Sequence, residues 1–304
     1  MKQVIKNIPL PITGLMLGLA GLGNLVVSYG IYYRYTLGII SAFLAILIIL
    51  RLLIDYSNCK IEFNNPIVAG VVLTFPMGIM ILSTYIKPYF NSIALNTWYF
   101  GILLHIVLLI YFSYKYLNNF NIKKVYPTYF IVYVGIVVGS VTAPAFNNLL
   151  LGQYLFYFGF LSHMLLLPIV LYRVVKIKEI KKPALPTITI FTAPAGLCLA
   201  GYMSTFPDKN IFLLSWLIFL TLVSITGVLI YLPKMISKEF YPSYSAFTFP
   251  FVITAIGLKL SNNFLISKYG MSFLKYPSKI IEILSIILVL FVLYSYLRYI
   301  LIQK

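Results

Sequence analysis

Eight side chains in this sequence of 304 residues are of types that move protons or hold metals: Asp55, Glu62, Glu179, Asp208, Glu239, Glu282, His105 and His163. A hydrolytic or metal centre needs several such groups converging, as in a His-Glu-x-x-His helix or a close carboxylate pair. No such spacing occurs here, so the reading is a non-enzyme with no metal and no cofactor. Cys59 and Cys198 give neither a disulfide framework nor a zinc site. What recurs instead is a threonine two residues before a proline inside a long apolar run: "LTFPMG" with Pro76, "VTAPAF" with Pro144, "FTAPAG" with Pro194 and "FTFPFV" with Pro250. Hydroxyls, aromatic rings and backbone groups freed by proline can hold an ion weakly or exclude it; they do not transform it.

Such runs need a membrane around them. The chain is 61% hydrophobic and 10% charged, and a span takes about 20 apolar residues. The charge-free runs are 7–33, 35–50, 63–86, 88–114, 125–172, 183–207, 210–233 and 240–258. The run 125–172 is too long for one helix and breaks at "FNNLLLGQ", residues 146–153; with a last segment over 278–300 the expectation is ten spans in a single domain, 1–304. The start, "MKQVIKNIPLPITGLML", lacks a small-residue cleavage site and is read as the first span rather than a signal peptide.

The formal net charge of +17 is distributed by topology, which argues against nucleic acid. If spans alternate, sixteen of the 23 basic residues share the side of the N-terminus, including the loop "RVVKIKEIKK" at 173–182. Six face the other way (Arg34, Lys87, Lys209, Lys268, Lys275, Lys279), and Lys259 lies near the end of a span. The positive-inside rule then puts both termini in the cytoplasm of a plasma-membrane protein that also favours anionic lipid.

Prolines open the spans on the basic side. From Pro9 to Pro66, Pro127, Pro186 and Pro242 the steps are 57, 61, 59 and 56 residues, a two-span unit occurring five times. Pro76, Pro144, Pro194 and Pro250 all fall in odd-numbered spans, while the first span has Gly14, Gly18, Gly21 and Gly23. The expected architecture is all-α: five helical hairpins around a central pore, with kinked odd helices inside and even helices outside. Broken helices are tolerated best where they line a cavity. In the ninth span Pro250 is expected to press on the carbonyl of Ala246 and kink the helix.

The blocks "LPITGLMLGLAGL" (10–22), "NNPIVAGVVLTFPMG" (64–78), "APAGLCLAGYMS" (193–204) and "AFTFPFVITA" (246–255) occur in an order and helix parity that resembles the tellurite-resistance/dicarboxylate transporter family. That family is TehA-like and includes plant guard-cell slow anion channels and fungal malate carriers. The resemblance implies ten helices about a pseudo-fivefold axis, an anion pore and a homotrimer. It also implies a phenylalanine gate at Phe249, with Gly14 leaving room for the ring. Phe249 by itself is one of 23 phenylalanines.

The pore so expected offers Gly18, Phe75 and the hydroxyls of Thr142, Thr192 and Thr248, with Lys259 as a charge at its mouth. It has no bidentate arginine clamp of the kind a dicarboxylate carrier would use. Weak sites suit rapid conduction, which favours a gated channel for small chloride- or nitrate-like anions. A proton-coupled malate-like or oxyanion/tellurite transporter stays open as the alternative, and a membrane sensor as a third. His105 and His163 are read as hydrogen-bonded packing groups.

Overall fold

The computed structural model describes residues 2–118, 120–237 and 239–302, so Lys238 and Lys304 of the basic count lie outside the described residues. An apolar helix of 14 residues, α1 (Ile12–Leu25), comes first. Among the described residues nine further helices are long and apolar enough to cross a membrane, and no strand occurs. They are α2 (Ile31–Ile54), α3 (Pro66–Ile86), α4 (Asn91–Leu117), α5 (Thr128–Phe146), α6 (Leu149–Ile177), α7 (Lys182–Thr205), α8 (Ile211–Met235), α9 (Pro242–Tyr269) and α10 (Lys275–Leu301). The chain is an all-α multi-pass membrane protein. At 14 residues α1 is about 21 Å long, shorter than the span expected over 7–33, because Pro9 and Pro11 separate it from the short helix Lys2–Lys6.

Burial alternates along the chain. Within their most apolar stretches, α3, α5, α7 and α9 are 67 to 83% buried, and the even helices 28 to 39%. Every residue of α1 except Asn24 is buried as well. The even helices present apolar side chains outward, as Phe43, Leu103, Leu161, Phe219 and Leu290 do, which is how a lipid-facing surface reads.

The odd helices are broken about two turns after they begin. In α3 the ladder is interrupted at Leu73, and in α5 by a 3₁₀ turn at Gly135–Val137. In α7 and α9 the first part is 3₁₀, Lys182–Phe191 and Pro242–Phe247, followed by regular helix from Thr192 and Phe249. The prolines sit in the first turns of these second segments, Pro76 and Pro194 third and Pro250 second. A missing N–H costs nothing there. Pro250 therefore does not kink a continuous helix against Ala246, as the sequence suggested; the break lies at Thr248 (φ −94°, ψ −89°), and Pro250 opens the helix beyond it. Pro144 is also displaced from its expected depth. It is exposed in a 3₁₀ turn at the far end of α5, and the break matching the others falls at Gly135.

Threonine hydroxyls satisfy carbonyls that the breaks leave without helical partners. Thr74 donates to the carbonyl of Val71 (2.6 Å), Thr192 to Thr189 (3.0 Å) and Thr248 to Ser245 and Gly14 (2.7 and 2.9 Å). Unpaired polar groups in a bilayer cost several kcal/mol each, so the Thr-x-Pro pattern is first a repair device.

At the basic end, side chains tie neighbouring elements together. Arg51 pairs with Glu62, whose carboxylate also accepts from Leu10 N–H. Lys115 and Tyr116 reach the carbonyl of Phe63, and Arg173 that of Lys123. Ser243 donates to Pro183, and Tyr296 to Pro242. Arg51 and Arg173 are staples rather than free charges.

Candidate ion pathway

Two cavities lie on the line between the odd helices. The basic-side cavity, about 30 Å³, is bordered by Gly14 of α1, Val71, Thr74 and Met77 of α3, Phe130 and Val134 of α5, Ile190 and Pro194 of α7, and Ser245 and Pro250 of α9. The far-side cavity, about 290 Å³, is bordered by Gly21 and Asn24, Ile81 and Thr84, Val138 and Thr142, Ser204, and Ile253 and Ile256. All five odd helices contribute to each, and no even helix contributes to either.

Phe249 is the one residue common to both walls. Its ring is 4% exposed. A water needs about 10–15 Å³ of such volume, so the basic-side cavity has the size of two or three waters and the far-side cavity is about ten times larger. The basic-side wall is almost wholly apolar, Thr74 and Ser245 being its only side-chain hydroxyls; the far-side wall adds Asn24, Thr84, Thr142 and Ser204.

Gly14, which the resemblance set against the Phe249 ring, borders the basic-side cavity with it, but its nearest neighbour is Ser245. A Cβ at Gly14 would meet Ser245 Cβ at 2.9 Å. At Gly18 a Cβ would stand only 2.5 Å from Thr248 Cβ, and the glycine against the ring is Gly21. These three lie at i, i+4 and i+7, one face of a helix, and together bring α1 onto α9.

The remaining expected lining residues divide. Thr142 borders the far-side cavity, with its hydroxyl donating to the Val138 carbonyl (2.8 Å) and accepting from Trp98 Nε1 (2.8 Å). Pro194 and Pro250 border the basic-side cavity, whereas Gly18, Phe75, Pro76, Pro144, Thr192 and Thr248 border neither. The two threonines face their backbone instead, as repair required.

Lys259 does not stand free at a pore mouth. Its ammonium lies 3.3 Å from Glu282 Oε2, 3.2 Å from the Leu25 carbonyl and 3.1 Å from Ser28 Oγ. Glu282 also takes Lys279 and the hydroxyl of Tyr29. The ammonium that was expected to face the anion is tied to a carboxylate instead, which it shares with Lys279.

Neither histidine borders a cavity. His105 is fully buried, its Nε2 3.0 Å from the Val132 carbonyl near the break in α5. His163 packs edge-on to Phe130 with neither ring nitrogen hydrogen-bonded.

The residue that sequence reading passed over is Arg34. It sits in the first turn of α2, yet its guanidinium reaches α1 and α3: Nε donates to Asn24 Oδ1 (2.9 Å) and Nη2 to the Thr84 carbonyl (3.1 Å), over the Tyr85 ring at 4.4 Å. Its only signal was an arginine among the few basic residues of the far side.

Among the described residues no three His, Cys, Asp or Glu side chains are grouped to hold a metal ion. No curated protein matches the chain. The family model described as SLAC1, voltage-dependent anion channel, matches residues 7–297. The match runs over nearly the whole length, so this chain belongs to the SLAC1 voltage-dependent anion channel family, an anion channel or transporter rather than an enzyme.

Proposed function

We propose that the protein is a gated channel for small monovalent anions, in which the Phe249 ring closes a path running through both cavities along the axis of the odd helices. The observation that carries this reading is that the two cavities share one wall residue, and it is an aromatic ring. A bare ion entering a dry, low-dielectric constriction faces an idealised cost of order 20 kcal/mol, so an apolar plug blocks by excluding water.

The sign of the permeant ion follows from the breaks. The second segments of α3, α7 and α9 begin at Thr74, Thr192 and Phe249, and their first turns border the basic-side cavity. Helix N-termini carry partial positive charge and free N–H groups. No carboxylate borders either cavity. The absence of a titratable wall residue also weighs against proton-coupled malate or oxyanion transport.

In this reading the chain is five helical hairpins, with α1, α3, α5, α7 and α9 inside; the alternation of burial supports it. The basic loops face the cytoplasm with both termini, at the plasma membrane. The homotrimer implied by the family resemblance would place three such paths side by side.

Planar-bilayer recordings of purified protein test the reading. Phe249→Ala is expected to raise chloride and nitrate currents at least tenfold over wild type, with a reversal potential that follows the anion gradient and ignores a pH gradient. Unchanged currents in Phe249→Ala would remove the gate, and a reversal potential moving with pH would replace the channel by a coupled carrier.

A further inference from the structure

We propose that the far-side cavity contains a selective site for one monovalent inorganic anion, formed by the Asn24 amide and the Ser204 hydroxyl in the field of Arg34. This rests on the reading that the cavity belongs to the conduction path. Every nitrogen of a guanidinium donates and none accepts, so the Asn24 side chain must turn its oxygen toward Arg34 Nε. Its NH₂, which can only donate, is left on the other side of the group. That nitrogen has no protein hydrogen-bond partner, nor does the hydroxyl of Ser204, and both residues border the same cavity.

Arg34 is built as a fixed positive charge. Two of its three nitrogens are engaged, and its plane rests on Tyr85, whose hydroxyl is tied to the Ala20 carbonyl at 2.6 Å. None of the four ion pairs includes it, and all six carboxylates of the sequence are among the described residues. An arginine stays charged at every physiological pH. It is unlike Arg51, which pairs with Glu62, and Lys259, which shares Glu282 with Lys279.

The same geometry sets the class of ligand. Nε and Nη2 are given to Asn24 and Thr84, and Arg34 itself does not border the far-side cavity, so the guanidinium does not grip an ion there directly. It acts through the amide that it orients, as a positioning residue. Single donors around a charge suit chloride, bromide or nitrate.

Chloride-35 NMR line broadening on detergent-purified protein tests the site without needing conduction. Wild type is expected to give saturable excess broadening that nitrate displaces. Arg34→Gln should weaken that binding about tenfold, through loss of the nearby charge and of the orientation it imposes on the amide. Asn24→Leu should weaken it severalfold with Arg34 still in place, and decides the matter if Arg34→Gln is not monodisperse. No saturable broadening in wild type, or wild-type saturation in Asn24→Leu and in a folded Arg34→Gln, overturns the proposal. Binding lost in the variants while Phe249→Ala remains silent leaves the site standing and removes the channel reading. Phe249→Ala currents with binding unaffected by either variant do the reverse.

Discussion

The Phe249 ring lies against the bare backbone of Gly21: a Cβ there would stand 3.3 Å from both Cδ2 and Cε2, and 3.1 Å from Val252 Cγ1. A methyl group in that space presses on the ring from the α1 side. Gly21→Ala is expected to lower wild-type current severalfold by denying the ring the room into which it swings. The same change in the Phe249→Ala background should cost almost nothing, and bilayer recordings of the single and double variants check this non-additivity. Gly14→Asp, placed against Ser245, should instead lower the melting temperature together with the flux.

Phe247 and Phe249 are two residues apart and do different work. Phe247 is fully buried against the Tyr244 ring at 5.1 Å and borders neither cavity. Phe247→Ala should therefore cost about 3–5 kcal/mol of stability and leave selectivity unaltered. Phe249→Ala should cost less, since its ring already has open space on both sides. Thermal unfolding in detergent ranks the two variants.

The Lys259–Glu282 pair gives a third expectation. Glu282 is 3% exposed and offsets Lys259 and Lys279. Glu282→Gln leaves two ammonium groups without their counter-charge; as both are partly exposed and keep much of their hydration, the cost is about 1 kcal/mol. Lys259→Met should lower stability while leaving the anion-to-cation permeability ratio as it was. A changed ratio in that variant would mean that the ammonium faces the permeating ion.

Orientation in the membrane can be read with thiol reagents. Cys59, in the short helix Tyr56–Glu62, is buried, and that burial pushes its thiol pKa up. Less thiolate is then present at neutral pH, so it reacts slowly; Cys198 is wholly buried in α7. An impermeant maleimide on intact cells is expected to label Ser272→Cys, before α10, and not Lys181→Cys, before α7. The opposite pattern would invert the topology.

How far the sequence could be read depended on whether a feature was local. The break inside 125–172 was visible because asparagine tolerates the left-handed backbone that Asn147 adopts (φ 52°). The Thr-Ala-Pro of residues 142–144 misled because it copies 192–194 while lying near the end of its helix. Spacing held the better clue: Gly135 follows Pro127 by eight residues, as Pro194 follows Pro186 and Pro250 follows Pro242. Gly14, Gly18 and Gly21 share a face, so which of them meets the ring depends on the height of α1 against α9, and no local pattern sets that. Arg34 meets Asn24 and Thr84 only once three helices are assembled.

The interrupted inner helices also bear on how the chain enters its membrane. α7 and α9 are the least apolar of the nine long helices, and each is followed at once by a far more apolar one, α8 and α10. Left alone in lipid, α7 would expose threonine hydroxyls and a 3₁₀ backbone whose hydrogen bonds have poorer geometry than those of an α-helix. Both α7 and α9 still qualify as spans by length and hydropathy. The order of the chain adds that the strongly apolar helix able to shield each of them is the next to be synthesised, so an inner segment spends little time in lipid without its cover.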